Sequence, residues 1–329
     1  MENITLGQGS GGRLTEQLIH RITSHFSKSR TPSELEDCSF LKDGIAMTID
    51  SFTVTPREFP GGNIGKLAVC GSTNDLAVRG VKPEFLAMSV VIEEGMDISE
   101  FDSYMESAAA VCSKLDVKLS TGDTKVVPKG SLDGIFITTC AVGTSLTPFP
   151  WGMANIRTGD LVAVTTSIGQ HGATIGASRF DLESATLQSD CAALWPAISE
   201  ITEMEGVRCM RDCTRGGLGT VLCEWAEGTS TGIEIDETKI PLTPEVNSVC
   251  DILGFDPLYL ACEGCAAIVF SPEEKDRVIA TMKKHDMCKD IAVIGEIVDS
   301  HEKLVGMRTD IGGMRIIDMP VAEMLPRIC

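Results

Sequence analysis

The sequence predicts an α+β protein of two domains. Three observations point there. The chain has 329 residues, more than one core usually serves. Segments with strand-like alternation and segments of helical period follow one another in both halves, with helices too short for a clean parallel βαβ series. A stretch rich in Pro and Gly, Thr147 to Asp160, breaks the pattern after a strand and marks the boundary. The expected division is residues 1–150, residues 151–319 and a tail, residues 320–329.

The elements follow in order. Arg13 to Phe26 places Leu14, Leu18, Ile22 and Phe26 at helical spacing, which predicts an amphipathic helix. Gly44 to Phe52 alternates like a strand. Asn63 to Gly80 reads as a helix with Asn63 as cap and Gly80 as stop. A strand ("FLAMSVVIEE"), a helix from Ser99 and two strands ("VKLSTGDT", "IFITTCAVGT") complete the first half. The second half predicts a strand at "LVAVTTSIG" and a helix start at "HGATIGASRF". Helices follow near Cys191–Glu203, Leu218–Glu227, Pro244–Leu253 and Glu273–Lys284, with strands near Gly232–Ile235, Ala266–Phe270 and Ala292–Val298. From Pro320 onward there are two prolines and no period, which predicts an extended, mobile arm.

Charge excludes some partners. Asp plus Glu is 47 against 28 Lys plus Arg, a net charge of −19. That opposes nucleic acid and anionic membrane surfaces. It does not oppose a small phosphate ligand held by metal and backbone amides. The start, "MENITLGQGS", lacks a signal peptide's basic and apolar regions, and no apolar run reaches the ~18 residues of a membrane span. A cytoplasmic location is expected, and the thirteen cysteines then read as reduced thiols.

Several stretches carry chemistry. "GQGSGGR" is a flexible loop whose amides suit phosphate, although it is neither a complete dinucleotide fingerprint nor a Walker A loop. Asp50, Asp75, Asp123 and Asp212 each stand beside small or hydroxyl residues, and carboxylates gathered at strand ends suit hard cations. "CTRGGLG" puts two glycines and Arg215 before an apolar helical stretch, the pattern of an anion site at a helix start. "IGQHGATIG" offers the same geometry, with His171 read as structural. Cys262 and Cys265 form a C-x-x-C, but neither they nor Cys209 and Cys213 sit in a turn-rich knuckle, so zinc is not expected. Glu263, at the mouth of an apolar strand, is a candidate base. The last residue, Cys329, puts a thiol on a terminus, where it is open to oxidation.

Together "GSGG", "TIDSF", "FPGGNIGKLAVCGSTNDLAV", "STGDTKVV", "HGATI", "RDCTRGGL", "ACEG" and the ending "PRIC" resemble the hydrogenase maturation family HypE, in one order from residue 4 to residue 329. The wider superfamily includes aminoimidazole ribonucleotide synthetase, selenophosphate synthetase and thiamine monophosphate kinase. The resemblance implies a two-domain PurM-like fold, with a dimerising, ATP-binding N-terminal domain and a C-terminal α/β domain. It implies a homodimer, ATP and Mg2+ as cofactors, and partnership with the carbamoyltransferase HypF and the HypC–HypD iron scaffold.

The activity implied is ATP-dependent dehydration of a carbamoyl group on the terminal cysteine, which supplies the cyanide ligand of the [NiFe] hydrogenase iron. By resemblance Cys329 is the carrier, Glu263 the base and Lys125 its charged neighbour. Gly9, Ser10, Gly11, Gly12, Asp50, Asn74, Asp75, Thr121, Gly122, Asp123, Asp212, Thr214, Arg215, Gly216 and Gly217 bind ATP. Asp50, Asp75, Asp123 and Asp212 hold the metal. Family members often show Asn and Lys where this chain has Cys262 and Cys265, so a disulfide that blocks the site on oxidation is an expectation particular to this chain. Two other readings stay open on residues alone: a small-molecule kinase or synthetase with an incidental terminal cysteine, and a non-catalytic ATP-binding scaffold.

Overall fold

A computed structural model describes residues 3–9, 11–26, 28, 36–149, 151–182, 184–321, 325 and 327–329. The first half runs α1 (Gly12–His25), β1 (Ser39–Phe40), β2 (Ile45–Phe52), β3 (Glu58–Phe59), β4 (Gly62–Asn63), α2 (Ile64–Ala77), β5 (Val81–Glu93), α3 (Ile98–Leu115), β6 (Lys118–Val127) and β7 (Ile135–Ser145). The second half runs β8 (Leu161–Val164), α4 (Gln170–Arg179), α5 (Trp195–Ile198), β9 (Val207–Asp212), α6 (Gly217–Thr229) and β10 (Gly232–Asp236). It continues with α7 (Pro244–Leu253), β11 (Ala266–Phe270), α8 (Lys275–Met282), β12 (Ala292–Val298), β13 (Val305–Arg308) and β14 (Met314–Ile317).

Five strands form one sheet in the order β1-β2-β7-β5-β6. Ala46, Thr48 and Phe52 of β2 point inward and are buried, whereas Ile49 on the other face is exposed. The inner face is covered by α2 and α3. Asn63 caps α2 by accepting from the Lys66 amide, as its position predicts. This helix is buried on nearly every side, because the sheet, α3 and the second half all pack on it. Gly65 permits the α3 approach: a Cβ there would lie 1.9 Å from the Tyr104 carbonyl oxygen.

The other sheet has the order β14-β13-β10-β12-β8-β11-β9 and is antiparallel except where β10 pairs with β13. β11 is buried along its whole length. Ala266, Ile268 and Phe270 face the core shared with the first half, while Ala267 and Val269 face a second core that holds the apolar side of α6. The shared core fixes the two sheets around α2.

Six strands differ from the expectation. The two-residue β1, β3 and β4, and β9, β13 and β14, are not in the sequence reading, and the helix expected near Cys191–Glu203 shortens to α5 and a 3-10 turn. α1 forms as predicted, but Ile22 and Phe26 stay exposed. Among the described residues, no helix is long and apolar enough to cross a membrane.

The predicted free arm is docked at its end. Leu325 and Ile328 are 3% and 1% exposed. Earlier in the arm, the Pro320 and Val321 carbonyls accept from the Arg13 and Leu14 amides. Residues 322–324 and 326 lie outside the described residues. Apolar side chains and carbonyl oxygens that find partners in the body replace the free tail expected from the prolines.

Candidate active site

Carboxylates from both halves converge inside the molecule. β2 presents Thr48 and Asp50 on its inner face, α2 presents Asp75, and β9 ends on Asp212. The Thr48 hydroxyl donates to Asp75 Oδ2 at 2.6 Å. Arg215, just before α6, lies 3.6 Å from Asp50. Burial drives the carboxyls of Asp75 and Asp212 well above the ordinary range, and crowding adds to it: Asp212 and Asp50 act on Asp75, and Asp37 and Asp50 act on Asp212. Burial also raises Asp50, against the pull of Arg215.

Two oxygens in this cluster, Asp212 Oδ2 and Glu263 Oε1, are buried with no hydrogen-bond partner among the described residues. Orphaned carboxylate oxygens in a crowd of negative charge suit a hard cation. Among the described residues no three His, Cys, Asp or Glu side chains form a protein-only metal site.

Glu263 is 2% exposed. Its carboxyl is pushed well above the ordinary range by burial first, then by Asp212, Asp190 and Asp50, with Arg215 opposing. Its backbone is gripped from two sides. The Glu263 and Gly264 amides donate to the Asp190 carboxylate at 3.1 and 3.0 Å. Asn74 Nδ2 donates to the Glu263 and Ala192 carbonyls, and Asn74 Oδ1 accepts from the Leu194 amide. Asn74, expected at the nucleotide, is thus engaged in holding the Glu263 loop. Cys262 and Cys265 flank Glu263 and are enclosed; both hydrogen-bond through their thiols, and Cys213 joins Cys265.

Glycines line the anion side. Gly216 and Gly217 have positive φ and open α6 after Thr214, whose carbonyl accepts from the Gly217 amide. A Cβ at Gly217 would lie 2.6 Å from the Leu258 carbonyl oxygen, so a side chain is barred there. Gly11 runs against Arg215, within 3.5 Å of a Cβ position. Gly9 ends a 3-10 turn and Gly12 begins α1. Ser10 lies outside the described residues.

Four expected residues stand elsewhere. Thr121, Asp123 and Lys125 of β6 pair in register with Ala87, Ser89 and Val91, the outer-face positions of β5. Gly122 lies between them. Asp123 and Lys125 are exposed and bridge each other at 3.2 Å. Within one chain, therefore, Asp123 does not join Asp50, Asp75 and Asp212, and Lys125 is not the neighbour of Glu263. The five-stranded sheet separates the groups. Among the described residues, Arg215 is a cation that acts on Glu263 within the chain.

The sequence reading missed three contributors. Asp37 adds negative charge to Asp75 and Asp212 and pairs with Arg211 at 3.0 Å. Asp190 holds the Glu263 loop. His171, set aside as structural, touches the tail: its ring contacts Ser189 Oγ and the Ile328 carbonyl oxygen, each at 2.8 Å. An acid next to a cysteine in "ELEDC" and "QSDCA" is the only local sign of the first two.

Comparison with known proteins shows the family. The family model "AIR synthase related protein, N-terminal domain" covers residues 35–145, and its C-terminal counterpart covers residues 157–307. The carbamoyl dehydratase HypE of Rhodobacter capsulatus is 42% identical over 339 aligned positions, covering 100% of this chain and 98% of the relative. The chain belongs to the HypE family. Among solved structures, HypE in a complex with HypF superposes with a TM-score of 0.87 at 39% identity, covering 92% of this chain and 99% of that one. HypE in complex with ATP gives 0.84 at 34%, covering 99% and 100%. The two-domain PurM-like fold and the α+β content follow from these matches.

Proposed function

We infer that the chain is an ATP-dependent carbamoyl dehydratase of hydrogenase maturation. It converts a thiocarboxamide on Cys329 to a thiocyanate, with ADP and phosphate as the other products. The observation that carries this reading is the docked C-terminus: a backbone oxygen of Cys329 accepts from the Thr53 amide at 3.0 Å, three residues beyond Asp50. A kinase or synthetase has no use for that contact.

The chemistry assigns work to named residues. The amide oxygen is a poor leaving group until it takes the γ-phosphoryl of ATP. Departure of phosphate with loss of the nitrogen protons then leaves the nitrile. We assign the phosphates to the start of α6 at Gly216 and Gly217, where the dipole of the first turn favours an anion, to Thr214 and Arg215, and to the Gly9–Gly12 segment. Asp50, Asp75 and Asp212 hold Mg2+, which when bound offsets phosphate charge. Glu263 takes a proton from nitrogen. Its burial keeps water from the activated intermediate and makes its carboxylate a stronger base once the nearby cations ionise it.

We propose a homodimer built on the outer face of the five-stranded sheet. Ile49 and Phe85 are exposed on that face, and β6 is an open edge. A second copy there covers apolar surface. It also gives Asp123, Lys125, Thr121 and Gly122 a route to a neighbouring subunit's site, which their own chain denies them. The proposed partners are HypF, which loads the carbamoyl group, and the HypC–HypD scaffold, which receives the cyano group, all in the cytoplasm. Phosphate release tests the function. It is expected only when Cys329 carries a carbamoyl group, and equal release from Cys329→Ala would refute the reading.

A further inference from the structure

The body holds the C-terminus by its backbone. The backbone oxygens of three successive residues each accept a hydrogen bond. That of Arg327 accepts from the Thr55 amide at 3.3 Å and from Arg179 Nη2 at 2.5 Å. That of Ile328 accepts from His171 Nε2 at 2.8 Å, and that of Cys329 from the Thr53 amide. The Arg327 side chain adds Nε to the Thr53 carbonyl at 3.0 Å and Nη1 to Asp133 at 2.8 Å. Arg327 itself has φ +56°, a left-handed conformation that a non-glycine residue keeps only when its surroundings over-determine it.

We propose that His171, Arg179 and Asp133 form a latch that sets the register of the C-terminus, making them positioning residues for the sulfur of Cys329. The proposal rests on Cys329 being the carrier, as inferred above. Each latch bond is to a carbonyl or to Arg327, so the grip is the same whether the sulfur bears a proton, a carboxamide or a cyano group. A slip of one residue would move the sulfur by about 3.5 Å and offer the wrong side chain to the Ile328 pocket.

His171 ties the latch to the base. A carbonyl can only accept, so Nε2 carries the ring proton. Nδ1 then accepts from the Ser189 hydroxyl, whose oxygen in turn accepts from the Cys191 amide at 3.1 Å. Between those two residues, Asp190 holds the Glu263 and Gly264 amides. One three-residue segment therefore references both the docked tail and the loop of Glu263. Phe59 packs edge-on against the His171 ring at 5.1 Å and fixes its plane.

The test reads the latch and the chemistry separately. Cys329 alkylation in the full chain reports how often the tail is released; mass of the carbamoylated protein with Mg-ATP reports conversion. Arg179→Ala and His171→Leu are expected to speed alkylation roughly tenfold or more and to slow conversion, with ATP affinity close to native; His171→Leu, which orphans the Ser189 hydroxyl, is also expected to lower the melting temperature. His171→Gln, which keeps a donor, is expected to restore both. Asp133→Asn, at an exposed position, should give a smaller change of the same sign and guards against misfolding of the buried variants. Native alkylation rates in Arg179→Ala, His171→Leu and Asp133→Asn would overturn the latch, as would faster alkylation with native conversion. If wild-type protein converts nothing, the dehydratase reading fails, while the alkylation arm still decides whether the latch exists.

Discussion

Asn74 in α2 donates from its side-chain amide to the backbone carbonyl of Glu263 at 3.4 Å, across 189 residues of sequence. The residue next to Asp75 thus holds the loop of the proposed base. The same amide group donates to Ala192 and accepts from Leu194. One buried side chain couples α2, which carries Asp75, to the loop of the proposed base in the second half.

Replacing Asn74 with Ala should therefore damage stability and activity together. It leaves the Leu194 amide and the Ala192 carbonyl buried without partners. Each orphaned group costs about 1–3 kcal/mol, so a total loss of roughly 2–6 kcal/mol is expected. Urea unfolding measures it. A loss below about 0.5 kcal/mol, the scale of an ordinary surface change, would show that the clasp is not structural.

Asp75→Asn and Asp212→Asn should separate binding from stability. Each removes a charge from a crowd of carboxylates, so the metal-free protein should gain on the order of 1 kcal/mol. Each also removes a proposed ligand of the cation, so Mg-ATP affinity should fall at least roughly tenfold. Calorimetry with both variants checks this. Unchanged affinity in both would remove these residues from the site.

The pH dependence has a defined sign. The folded pKa values of Asp75, Asp212 and Glu263 lie above their unfolded values. Their contribution to stability is full below the unfolded values and is lost as pH rises through the folded ones. The advantage of Asp75→Asn over wild type should accordingly grow from about pH 5.5 to about pH 8, both above the ordinary carboxylate range. His171 runs the other way. Burial lowers its pKa to about 4, so its contribution is full above its unfolded value and is lost as pH falls. Taking the difference between variant and wild type at each pH cancels it. An advantage that shrinks with rising pH would contradict the crowded cluster.

Thiol reactivity should divide sharply. Cys262 and Cys265 are buried around Glu263, whereas Cys329 is partly exposed. In the folded protein an alkylating agent should label Cys329 and leave the C-x-x-C pair unmodified until the chain is unfolded. Peptide mapping reads the two sets. Labelling of Cys262 at the Cys329 rate would mean that the Glu263 pocket is open to water. Should oxidation join Cys262 to Cys265, activity is expected to fall, because Glu263 lies between them.

Much of this was legible in the sequence where local physics decides. The helix Pro244–Leu253 announces itself through a capping Thr243 and a Pro in its first turn, and β11 through an apolar run bounded by Gly264 and Pro272. β9 was not legible. Arg208 and Arg211 give it the look of surface, and only the fold supplies Asp160 and Asp37 as their partners. The aspartates share one local pattern, yet Asp50 faces inward and Asp123 outward. Strand register decides that, and register is a long-range property. The docked end of the tail was hidden for the same reason: Ile328 and Leu325 look like any apolar residues until the pocket around them exists.

The most direct measurement of the central claim is the intact mass of wild type, Cys329→Ala and Glu263→Gln after incubation with the carbamoyltransferase, carbamoyl phosphate and ATP. Wild type should gain a carbamoyl group and then lose the mass of one water. Cys329→Ala should gain nothing. Glu263→Gln should hold a persistent carbamoyl adduct, since its amide cannot take the nitrogen proton and loss of a positioned base costs roughly 10²–10⁴ in rate. Conversion of the adduct by Glu263→Gln at the native rate would contradict the account and require another base.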